Sequence, residues 1–162
     1  MTGNRWLRDG VIVGLIAYAT VAVFYSAFDM LANRGMLFTV NLLGQALFRG
    51  LRDPSVLQFP MTVDTQAVFW YNAVHFVLSL AIGLFVLALV ETAERRPARA
   101  GLMAGAIATG FAVTVAVIGH LTEPMRALLP WWSIVVANGA ATACAAAYLL
   151  ARRPGLWRRM FG

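Results

Sequence analysis

The chain has 162 residues, of which 60% are hydrophobic and 12% charged, and its formal net charge of +6 rests on thirteen basic residues that are all arginine. Soluble domains carry about 25% charged residues, and a globule this small and apolar would leave too much greasy surface in water, so an ordinary soluble domain is excluded and lipid is the expected solvent. The arginines sit in the gaps between apolar runs, as topology determinants and headgroup contacts do, which argues against nucleic-acid binding, and the single cysteine, Cys144, excludes an intrachain disulfide, Cys-x-x-Cys redox chemistry and a zinc finger.

In chain order, the first long apolar run covers about 10–32 and follows Arg5, Trp6 and Arg8. It is too long for a signal-peptide h-region and is expected to stay in the chain. Gly10-x3-Gly14 opens it, a small-xxx-small pattern that lets helices approach closely in lipid. A connection of about 33–65 follows, too long for a hairpin turn. Within it Val40, Leu43, Leu47 and Leu51 fall near helical spacing. That spacing predicts a short amphipathic helix at the outer interface, with Thr39 as N-cap and with Gly50 and Asp53-Pro54 as its stop. The alternative is an irregular loop tucked over the bundle.

The second run covers about 66–90, with Trp70 near its outer end, and the third about 98–121, entered past Arg95, Arg96, Pro97 and Arg99. Gly101-x3-Gly105 repeats the small-xxx-small pattern. The fourth run covers about 130–151, opens at Pro130, Trp131 and Trp132, and is dense in alanine between Ala137 and Ala147. Each run is long enough to cross a hydrocarbon core of about 30 Å at about 1.5 Å per residue, and in lipid a spanning backbone must satisfy itself as a helix. Pro97 and Pro130 fall at helix starts, and Pro124 and Pro154 follow helix ends. The fold class expected is therefore an all-α membrane protein. Residues 1–162 form one domain, a four-transmembrane-helix bundle with a short amphipathic interfacial helix in its first outer loop.

Arginine sets the orientation. Arg5, Arg8, Arg95, Arg96, Arg99, Arg152, Arg153, Arg158 and Arg159 lie on one side, against Arg34, Arg49, Arg52 and Arg126 on the other. The second group is offset by Asp29, Asp53, Asp64 and Glu123. The excess predicts both termini in the cytoplasm, in a bacterial inner membrane. Trp6 and Trp157 then mark the inner interface, and Trp70, Trp131 and Trp132 the outer one.

Polar residues within spans are costly and tend to face protein. Asn72, His75 and Ser79 are three and four apart and share one helix face. Tyr25 and Asp29 in the first span, His120 and Glu123 at the end of the third, and Asn138 in the fourth complete an outer-half polar cluster. His75 lies five residues below Trp70 and His120 four below Pro124, so the two imidazoles fall about 7 and 6 Å deep. Measured instead from Gln66, His75 is about 14 Å deep and the match is lost. A pair at one depth would clamp a haem b iron, or hold a metal with Glu123 or Asp29, or serve proton or quinone chemistry. Otherwise each histidine hydrogen-bonds between helices, or His120 sits at the headgroup level beside Glu123.

The chain contains no G-x-S-x-G, H-E-x-x-H or P-loop motif. Glu91 and Glu94 lie at the inner edge, where Glu91 is placed to pair with Arg95. The expectation is a small inner-membrane protein without catalysis of its own, an accessory or scaffold component whose partners are lipid and other membrane subunits or further copies of itself. The alternatives are an electron carrier using His75 and His120 as haem, metal or quinone ligands, and a small dimeric transporter.

Overall fold

In the computed structural model, residues 3–51, 53, 56 and 59–155 are described. Arg52, Pro54, Trp157, Arg158 and Arg159, to which parts of the loop stop, the interface belt and the charge bias were assigned, lie outside the described residues. The described residues form five helices: α1 Gly3–Leu31, α2 Phe38–Phe48, α3 Thr65–Arg95, α4 Ala100–Leu121 and α5 Trp131–Arg152. Short 3₁₀ turns at Pro97–Arg99 and Glu123–Met125 join the last three. Four of the helices, α1, α3, α4 and α5, are long and apolar enough to cross a membrane.

Local chemistry sets the helix ends. The Asp64 carboxylate caps α3, accepting the Ala67 N–H at 2.9 Å. Pro130 stands at the N-cap of α5, where its carbonyl accepts both the Ser133 N–H at 2.9 Å and the Ser133 hydroxyl at 2.7 Å. Beyond α1 the chain turns through Asn33, whose φ of 54° is one that asparagine tolerates better than most residues.

α1 packs most extensively on α3 and next on α5, while α3 also meets α4 and α4 meets α5. The spans thus close a ring in the order α1, α3, α4, α5. They run antiparallel: Gly10 and Gly14 of α1 meet Leu84 and Leu80 of α3, and Asp9 and Tyr25 meet Tyr148 and Ser133 of α5. At the α1–α3 crossing the backbones nearly touch. A Cβ on Gly83 would lie 2.6 Å from the Gly10 carbonyl oxygen and 2.7 Å from the Gly14 Cα. Gly10-x3-Gly14 therefore does what its pattern implies, with Gly83 as the partner across the interface. Gly101-x3-Gly105 does not: a Cβ at either position meets nothing within 4 Å.

Two apolar clusters sit at opposite ends. Val13, Leu87, Val90 and Leu149 form one, with Trp6 and Tyr148 packed against it. Phe38, Leu42, Ala46 and Met125 form the other, flanked by Leu128 and Met61. Leu43 and Leu51 of the expected stripe pack against the second cluster, but the stripe is not the whole of the buried face of α2. Its buried face is Phe38, Thr39, Asn41, Leu42, Gln45 and Ala46, whereas Leu47 is 54% exposed. α2 is wedged between the 122–130 connection and α3, where Gly44 comes against the Ala67 carbonyl, so more than a single apolar stripe is covered. Thr39 is not the N-cap. Leu37 holds that position without a side-chain bond, and Thr39 lies inside the first turn.

Candidate functional site

Midway along the spans, polar side chains close on protein partners. The Tyr18 hydroxyl donates to Asn72 Oδ1 at 3.0 Å, and Asn72 Nδ2 donates to the Val68 carbonyl at 2.9 Å. The His75 ring lies 5.2 Å from Tyr18 and 6.1 Å from Tyr71. Ser79 is buried at the α1–α3 crossing, its carbonyl against Gly14. The Asn72, His75 and Ser79 stripe thus faces α1. Asn138 Nδ2 donates to the Ile134 carbonyl of its own helix, and the Tyr25 and Ser133 hydroxyls lie 3.5 Å apart between α1 and α5. His120 is exposed in the last turn of α4, and Glu123 is exposed in the 3₁₀ turn beyond it. Ring contacts thus surround His75 but not His120.

At the α2 end lies a buried ion pair. Asp29 is fully buried, and its two oxygens accept the Thr39 N–H at 2.6 Å and the Thr39 hydroxyl at 2.7 Å. Arg34 stands 3.7 Å from the same carboxylate, donates to the Leu128 carbonyl at 2.8 Å, and lies over the Phe38 ring at 4.7 Å. Asp29 therefore acts as a remote cap for α2, a carboxylate at the positive end of a helix. These contacts join α1, α2 and the 122–130 connection, and they occupy the carboxylate that would otherwise have been free to ligate a metal. Among the described residues, no group of three His, Cys, Asp or Glu is placed to hold a metal ion.

Beside this pair runs a polar seam. Asn41 and Gln45 both donate to the Thr62 carbonyl, at 3.0 and 2.9 Å, and Asn41 Oδ1 accepts the Asp64 N–H at 2.9 Å. The Arg49 Nε donates to Asp64 at 2.7 Å, and Arg49 also reaches Gln66 Oε1 at 2.7 Å. The Arg49 guanidinium and the Ala67 N–H hold the Asp64 carboxyl below the usual carboxylate range, and Asp64 holds Arg49 above its own.

The opposite end has its own network. Arg153, nearly buried, pairs with Glu94 and lies 3.8 Å from Asp9, which also accepts the Tyr148 hydroxyl at 3.2 Å. One guanidinium thereby ties the ends of α1, α3 and α5 together. Glu91 pairs with Arg95 at 3.2 Å, as its spacing implies. Composition alone could not reveal the network: Asp9 and Arg153 stand next to Arg8 and Arg152 at the edges of apolar runs, 144 positions apart by their numbers, and look like topology charges until the helices are docked.

One span is bound less completely than the rest. α4 buries only Ala100, Val115 and Gly119, and from 101 to 114 no residue is buried. Gly101, Gly105 and Thr109, each four apart, share one exposed face. The Thr114 hydroxyl bonds back to the Gly110 carbonyl at 2.8 Å, whereas the Thr109 hydroxyl has no partner among the described residues.

No protein-family model, curated protein or solved structure matches the chain.

Proposed function

We propose that the protein is a non-catalytic component of a membrane assembly that joins its partner through the open face of α4. The observation that carries this reading is the line Gly101, Gly105, Thr109, where a Cβ added at either glycine would meet nothing within 4 Å and the hydroxyl at its end has no partner among the described residues. Glycine inside a helix costs about 1 kcal/mol relative to alanine. At the α1–α3 crossing that cost is offset by close backbone approach. On α4 the same geometry is open to a helix from outside the chain, with Thr109 as a hydrogen-bonding contact.

The reading locates the protein in a bacterial inner membrane with both termini cytoplasmic. What supports it is the arginine bias: Arg5, Arg8, Arg95, Arg96 and Arg99 stand with Arg152 at one end, against Arg34, Arg49 and Arg126 at the other. The test is oxidative crosslinking in native membranes of Gly105→Cys in a Cys144→Ser background. An adduct with another membrane polypeptide or a second copy, lost in Gly101→Leu, is expected. A chain that forms no adduct and purifies alone in mild detergent would overturn the reading.

A further inference from the structure

We propose that the turn between α3 and α4 is a docking site for the phosphate of an anionic phospholipid headgroup, held by Arg96 and Arg99. At this end of the bundle the carboxylates are taken: Asp9 and Glu94 by Arg153, and Glu91 by Arg95. Arg96 and Arg99 are exposed and have no side-chain partner among the described residues. Their spacing is fixed, because the Arg99 N–H donates to the Arg96 carbonyl at 2.8 Å and the Arg96 N–H to the Thr92 carbonyl at 2.9 Å. A turn closed between residues three apart holds their Cα atoms within about 7 Å. Two guanidiniums on so short a base can converge on one phosphate.

Guanidinium suits this role better than ammonium, since its planar fork donates two parallel bonds to phosphate oxygens. The source of the phosphate follows from position. The pair stands where one spanning helix ends and the next begins, with Pro97 between them, and that is the headgroup level of any bilayer the four helices cross. A lipid headgroup is concentrated there, whereas a soluble phosphate is not. This inference rests on the α3–α4 turn and is independent of what α4 meets along its length.

The test is native mass spectrometry of the full chain in neutral detergent, titrated with phosphatidylglycerol, phosphatidylcholine or inorganic phosphate. Phosphatidylglycerol is expected to be retained over phosphatidylcholine. Retention should fall about five-fold for each guanidinium removed, so about 25-fold in the double variant Arg96→Gln, Arg99→Gln. Arg5→Gln, at an exposed arginine on another helix, should leave it unchanged. Should the double variant melt early, Arg99→Gln alone gives the same reading at about five-fold. Equal retention of the two lipids, equal loss in Arg5→Gln, no loss in the arginine variants, or displacement of the lipid by an equal concentration of inorganic phosphate would overturn the proposal.

Discussion

Asp29 shows how much one side chain can organise. Its carboxylate accepts two bonds from Thr39 and faces Arg34. Asp29→Asn leaves Arg34 nearly buried without a counter-charge, and is expected to cost about 3 kcal/mol of stability in detergent unfolding. A double-mutant cycle with Arg34→Gln checks the coupling; additive losses would show that the two residues act separately. Asp64 gives a pH dependence. Its folded carboxyl sits below the ordinary value of 3.8 because of Arg49 and the Ala67 N–H. The stabilisation is therefore complete above that value and is lost as pH falls through the folded one. Acid titration of the melting midpoint is expected to show this limb, and Asp64→Asn to flatten it. Asp29 was legible in the sequence as a polar residue near a span end, but its partners were not. Thr39 reaches it only because the chain reverses through Asn33 and Gly35 at positive φ. Arg34 and Arg153 were legible only as signs of topology, since counting charges by side does not distinguish a paired guanidinium from a free one.

Each spanning helix was readable from length and hydropathy, because lipid leaves the backbone one way to satisfy itself. What each helix touches was readable only in part. Gly10-x3-Gly14 and Gly101-x3-Gly105 are the same pattern, yet one is spent on Gly83 and the other faces outward. Spacing gives a face but not its neighbour. Substitutions separate them. Gly83→Ala forces a Cβ against the Gly10 and Gly14 backbone and is expected to destabilise by roughly 1–3 kcal/mol. Gly101→Ala meets open space and should leave the monomer as stable or raise it by up to about 1 kcal/mol. Melting of both variants in detergent checks this, and equal losses would refute the distinction. The buried face of α2 is legible only in part for a related reason. A stripe of Val40, Leu43, Leu47 and Leu51 assumes a single covered face, but α2 is covered on two sides, and Asn41 and Gln45 are buried along with Leu42, both donating to the Thr62 carbonyl.

At the scale of the whole molecule, the two ends are fastened by ion pairs, α1 and α3 by close glycine contact, and Tyr18 and Asn72 by a hydrogen bond between the same two helices. Purified protein is expected to be colourless, because His75 packs among Tyr18 and Tyr71 while His120 is exposed. A Soret band that disappears in His75→Ala would contradict that expectation.

The sparse burial of α4 also bears on motion. α1 and α3 are locked backbone to backbone, so they form the stiff spine of the molecule. α4 is held near Ala100 at one end and near Val115 and Gly119 at the other. A helix with no fully buried residue between its ends, where Ile107 packs on the core but is itself only partly buried, is the first to bow, and its opening free energy lies at the low end of the range within one fold. Amide hydrogen exchange should therefore be faster along 101–114 than along the facing turns of α1 and α3. A neighbour settling on α4, as proposed above, would slow it.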